Sequence, residues 1–235
     1  MPTVELGVRH VVVRPRSRLT IERAPATGFQ SLGLSSGRDG FLYVPPSFNP
    51  SPLAPAPLLV LLHGAGASAE QWRTAGLDMM VDALGIVVLC PSSRASTWDL
   101  FTTGWGPDVQ FLDAALASVF SRVHVDPERV ALAGFSDGAS YALSLGLYNG
   151  DLFKALIGFS PGFLAAAGAN GTPRVFIQHG TADPVLPVAG ARSIVSLLRG
   201  RNYDVTYTEF DGGHTVTDAE QREAATWFVP LPPGP

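Results

Sequence analysis

Arg129-Val130-Ala131-Leu132-Ala133 runs directly into Gly134-Phe135-Ser136-Asp137-Gly138, and Ala139 to Leu147 continues with small or apolar residues at helical spacing. A serine placed between a buried strand and a helix must sit on a very tight turn. Glycines on both sides let the backbone make that turn without a Cβ clash. The turn lifts the hydroxyl out of the sheet and aims it at whatever lies above the strand ends. A bare G-x-S-x-G arises readily by chance in a chain with 25 glycines. The strand before it and the helix after it turn the pattern into a strand–turn–helix unit, with Ser136 as a candidate nucleophile rather than a residue that only joins two elements.

The rest of the chain alternates strands and helices. Gly40 to Val44 reads as an early strand stopped by Pro45-Pro46, and the proline-rich Ser47 to Pro57 reads as a surface run without regular structure. Leu58–Leu62, Ile86–Cys90, Val130–Ala133, Ala155–Phe159, Val175–Gln178 and Val205–Phe210 read as strands. Helical spacing covers Ser68–Leu84, Pro107–Val123, Ala189–Arg199 and Asp218–Trp227. Strands that are apolar along their whole length are covered on both faces, so the expected architecture is α/β, a mostly parallel central sheet between two helix layers. Residues 1–235 are expected to form one domain, with 1–39 as N-terminal strands or an extension and Pro230 to Pro235 as a frayed tail.

Composition narrows the function classes. Hydrophobic residues make up 46% of the chain and charged residues 15%, which suits a large core and not a disordered chain. A formal net charge of -4 with no basic run argues against a nucleic-acid surface. The single cysteine, Cys90, has no intramolecular partner and requires no oxidising compartment. No stretch approaches 18 consecutive apolar residues, so no membrane span is read. Met1 to Arg18 lacks the apolar core of a signal peptide, and a cytoplasmic location is the expectation. The oligomeric state stays open.

In a parallel sheet of this kind ligands bind at the carboxyl ends of the strands. Four of those ends carry polar residues: His63-Gly64-Ala65-Gly66, Ser136, His179-Gly180-Thr181-Ala182-Asp183-Pro184, and Asp211-Gly212-Gly213-His214. A serine hydroxyl is a poor nucleophile at neutral pH and needs a base within hydrogen-bond reach, which makes His214 the candidate. A carboxylate must hold the imidazole tautomer, and Asp183 is preferred to Asp211, which ends the same strand as the histidine and reads as a brace. Asp108 and Asp113 fall on an expected helix face. Ser, Asp and His in that chain order resemble the α/β-hydrolase family, over about Gly40 to Phe228.

A tetrahedral intermediate needs donors for its oxyanion. The N–H of Asp137 is one, and Ala65 is favoured over Gly66 for the second. His63 reads as an orienting residue, and His10 and His124 lie away from the rim loops. His179 closes its strand in a His-Gly turn and reads as structural or, less favoured, as a base. No histidine pair is spaced four apart on a helix, so no catalytic metal is expected.

Only Ser160 to Pro173 separates two strands where larger family members often hold a lid, so no large cap domain is expected. The segment Ser92 to Asp108 carries Trp98, Phe101 and Trp105, which either pack beneath the loop or, with Phe163, line an acyl pocket. Ser96-Thr97-Trp98-Asp99 followed by Gly104-Trp105-Gly106-Pro107-Asp108 is similar to the small carboxylesterase and phospholipase branch, which includes the acyl-protein thioesterases. Asp137 departs from the glutamine of the usual thioesterase elbow. The resemblance implies a small-molecule ester substrate of short to medium acyl chain and no cofactor. Thioesterase, lysophospholipase, acyltransferase, peptidase and a catalytically inactive binding module of the same fold remain alternatives.

Overall fold

The computed structural model describes residues 25–48, 55–77, 81–102, 104–165 and 168–229. The sequence expectations for Met1 to Arg18, His10 and the tail Pro230 to Pro235 lie outside them. Eight strands form one sheet: β1 (Gly28–Ser31), β2 (Gly40–Val44), β3 (Ala56–Leu62), β4 (Val87–Pro91), β5 (Val125–Phe135), β6 (Ala155–Phe159), β7 (Arg174–Gly180) and β8 (Val205–Phe210). Their spatial order is β1-β2-β4-β3-β5-β6-β7-β8. The pairings β1–β2 and β2–β4 are antiparallel, and every other pairing is parallel. This is the α/β-hydrolase arrangement.

Residue alternation shows why the sheet is covered on both sides. Leu58, Val60 and Leu62 of β3, with Val130 and Leu132 of β5, join one core with α2 (Pro107–Phe120), α3 (Asp137–Tyr148) and α4 (Val188–Gly200). Leu59, Leu61, Ala131 and Ala133 point the other way and meet Trp72 of α1 (Glu70–Thr74) and Ala224, Ala225 and Phe228 of α5 (Asp218–Phe228). Every residue of β3 is buried. A strand with two buried faces gains about 25 cal/mol for each Å² of apolar surface removed from water, on both sides at once.

Two expectations change. The helical spacing over Ser68–Leu84 is interrupted: α1 ends at Thr74, Gly76 takes a left-handed φ of 70°, Leu77 and Val81 are again helical, and a 3-10 turn follows at Asp82–Leu84. The proline-rich Ser47 to Pro57 does not stay irregular to its end: β3 starts at Ala56. Pro57 fits there because the β3–β5 register shifts between Ala56 and Leu58, and a bulge demands no ladder N–H from the residue inside it. Within the segment expected to hold N-terminal strands or an extension, Gly28–Ser31 forms an antiparallel edge strand on β2.

Between β6 and β7 the described residues of 160–173 form neither helix nor strand, so no cap domain is inserted at this point. Among the described residues no helix is long and apolar enough to cross a membrane.

Candidate active site

The elbow after β5 is built by close approach. A Cβ on Gly134 would lie 2.3 Å from the backbone of Gly138, and one on Gly138 would lie 2.4 Å from the carbonyl oxygen of His63. With both positions reduced to backbone, the chain turns from β5 into α3 within one residue. That residue, Ser136, takes φ 57° and ψ −119°, a conformation that costs a non-glycine residue about 1–3 kcal/mol. Its N–H donates to Phe159 O on β6 at 2.9 Å, which anchors the turn to the neighbouring strand.

The loops after β7 and β8 are sewn together. Thr181 N–H donates to Phe210 O at 2.9 Å and Ala182 N–H to Gly212 O at 3.0 Å. A Cβ on Gly180 would stand 2.4 Å from the carbonyl oxygens of both Gly212 and Gly213, so the contact requires glycine there. Three residues after His214, Thr217 starts α5 with a capping box: its hydroxyl accepts from Ala219 N–H, and the Glu220 carboxylate accepts from Thr217 N–H. The histidine loop is therefore fixed at both ends.

This framework places His214 Nε2 at 2.9 Å from Ser136 Oγ and His214 Nδ1 at 2.7 Å from Asp183 Oδ2. Asp183 Oδ1 accepts from the N–H groups of Val185 and Leu186, each at 2.8 Å. Burial alone would raise the Asp183 pKa. The hydrogen bonds from Leu186, His214 and Val185 outweigh it and hold the carboxyl below the usual carboxylate range. An ionised carboxylate only accepts, so the His214 proton sits on Nδ1 and the Nε2 lone pair faces the serine. The Phe135 ring lies against the imidazole at 4.7 Å. Asp211 is exposed and has no hydrogen bond to this chain of groups among the described residues. Asp108 is turned to a different task, described below.

In the loop after β3, three N–H groups are already committed: Gly64 to Gln71 Oε1, Gly66 to Ser96 O and Ala67 to Gly64 O. Ala65 is exposed and its N–H has no acceptor among the described residues. Asp137, the first residue of α3, has an N–H with no intrahelical acceptor. The geometry thus offers two donors, at Ala65 and Asp137.

His63 is fully buried behind that loop. Its Nδ1–H donates to Gly64 O at 2.7 Å, its Nε2 accepts from Ser93 N–H at 3.0 Å, and its carbonyl accepts the Trp98 indole N–H at 2.9 Å. Burial, reinforced by the Arg38 guanidinium, lowers its pKa from 6.5 to about 4 against the opposing bond to Gly64. The unfolded chain therefore takes up this proton as pH falls through 6.5, while the folded chain refuses it until about 4. Stability present above pH 6.5 should be lost progressively towards pH 4, by about 3 kcal/mol in all. Urea unfolding at successive pH values should show this slope in the wild type and not in His63→Asn. Parallel curves for the two proteins would refute it.

The aromatic loop divides the pocket candidates. Asp99 and Asp108 cap each other: Asp108 accepts from the N–H groups of Arg94 and Asp99, and Asp99 accepts from those of Gly106 and Asp108 and from the Tyr141 hydroxyl. Trp98 is 1% exposed and lies between the rings of His63 and Tyr141, so it packs beneath the loop and lines no opening. Trp105 is half-buried against Tyr141 and Tyr148. Phe101 meets Phe163 edge to face at 5.0 Å, and Phe163 is 40% exposed. Thr97 Oγ1 donates to the Asp137 carboxylate at 2.7 Å, tying this loop to the elbow. Sequence reasoning missed Val185, which is 61% exposed beside Asp183, and the Asp99–Asp108 staple. The spacing of two aspartates around a Gly-Trp-Gly-Pro turn was the available signal for the staple.

The profile of the phospholipase/carboxylesterase family matches residues 49–229. A putative esterase, NocK, of Nocardia uniformis subsp. tsuyamanensis is 34% identical over 155 residues, 60% of this chain and 45% of that protein. Acyl-protein thioesterase 1 of Gibberella zeae is 30% identical over 118 residues, 46% of this chain and 50% of that protein. Feruloyl esterase C of Emericella nidulans is 27% identical over 177 residues, 71% of this chain and 63% of that protein. The chain thus spans less than two thirds of the length of each of these relatives. Among solved structures, esterase PE8 superposes with a TM-score of 0.64 at 24% identity, covering 80% of this chain and 96% of that one. An S-formylglutathione hydrolase of Staphylococcus aureus superposes with a TM-score of 0.71 at 17% identity, covering 87% of this chain and 100% of that one. At these identities the structural likeness speaks for the fold.

Proposed function

The chain belongs to the phospholipase/carboxylesterase family, and from that premise we propose that it is a serine hydrolase cleaving carboxylic esters of short to medium acyl chain through an acyl-enzyme on Ser136. The observation that carries this reading is the 2.9 Å and 2.7 Å hydrogen bonds that link a strained Ser136 to His214 and His214 to a buried carboxylate. In acylation, His214 Nε2 removes the Oγ proton as Oγ bonds to the ester carbonyl carbon. The oxyanion that forms takes hydrogen bonds from Ala65 N–H and Asp137 N–H. His214 then returns the proton to the departing alkoxide, and the C–O bond breaks. In deacylation, water enters in place of the alcohol and the same steps run again, releasing the acid. Asp183 keeps the imidazole in its reactive tautomer and balances the imidazolium.

Two features favour hydrolysis over transfer to another alcohol. Among the described residues no cap is inserted between β6 and β7, which leaves water a route to the acyl-enzyme. The exposed Phe163 and Val185, with half-buried Phe101, offer apolar surface for the acyl or alcohol portion without enclosing it. Thioesters meet the same machinery, and their better leaving group makes them competent substrates.

The test is a panel of aryl esters of rising acyl length, combined with labelling by a fluorophosphonate. Hydrolysis with one probe incorporated per chain is expected; an unlabelled, inactive protein would overturn the reading. The carboxylate assignment has its own check. Asp183→Asn should cut kcat by about 10⁴, because an amide permits the wrong imidazole tautomer and carries no charge. Asp211→Asn should cost less than about tenfold, since Asp211 lies exposed and apart. Both are read with one aryl ester at the pH optimum, and the reverse ranking would exchange the two roles.

A further inference from the structure

His179 is a fully buried side chain in contact with Asp183 that the mechanism leaves unused. It closes β7, four residues before Asp183, and its side chain and that of Asp183 have no exposed surface. Its Nε2 lies 2.7 Å from Leu186 O and 3.3 Å from Asp183 Oδ2, the same oxygen that faces His214. Its Nδ1 is buried with no hydrogen-bond partner. Both atoms near Nε2 can only accept. Were the proton on Nδ1, an Nε2 lone pair would oppose a carbonyl oxygen and a carboxylate, and the Nδ1–H would be buried without an acceptor. The neutral Nε2–H tautomer avoids both penalties.

We infer that His179 is a positioning residue, whose Nε2–H holds Leu186 O and Asp183 Oδ2 together so that the carboxylate presents that oxygen to His214. The inference rests on the proposed roles of Ser136, His214 and Asp183. Two effects follow from one N–H. The bond to Leu186 O fixes the turn whose Val185 and Leu186 N–H groups grip Asp183 Oδ1, so the carboxylate plane cannot swing away. The nearby N–H also withdraws charge from Oδ2, which moderates how strongly Asp183 stabilises the His214 imidazolium. The charged groups around His179 are Asp183 on its own loop, His214 on the loop after β8, and Glu209, its register partner on β8. Glu209 already accepts from Nε and Nη2 of Arg192 and cannot stand in for Asp183.

The experiment uses the full chain and one aryl acetate. His179→Phe keeps the ring and removes the donor. It should lower kcat by about tenfold with KM within about twofold. It should also move the acid limb of the kcat/KM profile upward by about half a pH unit, because an Asp183 relieved of that N–H stabilises the imidazolium more. His179→Gln, whose amide N–H reaches the Nε2 position, should restore both values. A Phe variant with the wild-type profile overturns the inference, since a merely structural loss would leave the limb in place. Should the Phe variant fail to fold, the ring-nitrogen NMR spectrum of the wild type decides. The neutral Nε2–H tautomer across the active pH range supports the inference, and a proton on Nδ1 overturns it. The tautomer is read without catalysis, so it stays separable from the proposed function, which fails on its own if Ser136→Ala remains active.

Discussion

Ser136→Ala should lower kcat on an aryl ester by about 10⁶ and abolish fluorophosphonate labelling, with thermal unfolding little changed. The substitution deletes a single oxygen. The β5–α3 turn is held by Gly134, Gly138 and the Ser136 N–H bond to Phe159 O, none of which needs the hydroxyl. Only the acceptor for the acyl group disappears. The donors at Ala65 and Asp137 still polarise a bound carbonyl, so slow water attack should survive as a residual rate. Comparing kcat and melting temperature for the two proteins is enough. Activity within tenfold of the wild type, from a protein that melts normally, would remove Ser136 from the reaction.

The second large loss is expected at His214. His214→Gln should reduce kcat/KM by about 10⁴ or more. A glutamine amide can still donate to Ser136 Oγ, yet it cannot take up the proton, and Asp183 then faces a group with no charge to balance. The pH profile adds an independent signature. In the wild type the imidazole must be neutral to accept a proton, so kcat/KM should fall on acidification through the imidazole range. The variant should lack that limb, and its remaining rate should climb with hydroxide instead. The control is His179→Gln, which retains a donor towards Asp183. A larger loss at His179 than at His214 would mean that the base had been placed on the wrong histidine.

How far the sequence could be read depended on whether the deciding partner was local. Gly134 and Gly138 flank Ser136 in the chain, so the turn was legible from five residues. Polar residues at strand ends were legible because β3, the second half of β5 and Val175–Ile177 of β7 are apolar runs, while β8 alternates and was bounded by the Asp211-Gly212-Gly213 turn. The split at Gly76 was hidden because glycine is tolerated inside a helical pattern, and only tertiary context gives it a left-handed φ. Pro57 pointed away from a strand because the bulge that accommodates it depends on β5, some seventy residues on. The fate of Trp98 turns on Tyr141 and His63, both distant in sequence, so its local pattern left both packing beneath the loop and lining a pocket open. His179 was hardest of all: its meaning lies in one N–H set between two oxygens, and spacing carries no trace of that.

The stitched loops after β7 and β8 also set the order in which the protein becomes competent. Ser136 belongs to the centre of the sheet, whereas Asp183 and His214 ride on its last two strands. β8 is an edge strand with no fully buried residue, in contrast to the wholly buried β3. A chain emerging from the ribosome completes the serine turn about eighty residues before the histidine exists to activate it. A mature chain in mild denaturant should reverse that sequence, shedding β8 while the buried strands, β7 included, persist. Aryl-ester hydrolysis, if it depends on His214 as proposed, should then report whether β8 is docked and should be lost at lower denaturant than the spectroscopic signal of global unfolding.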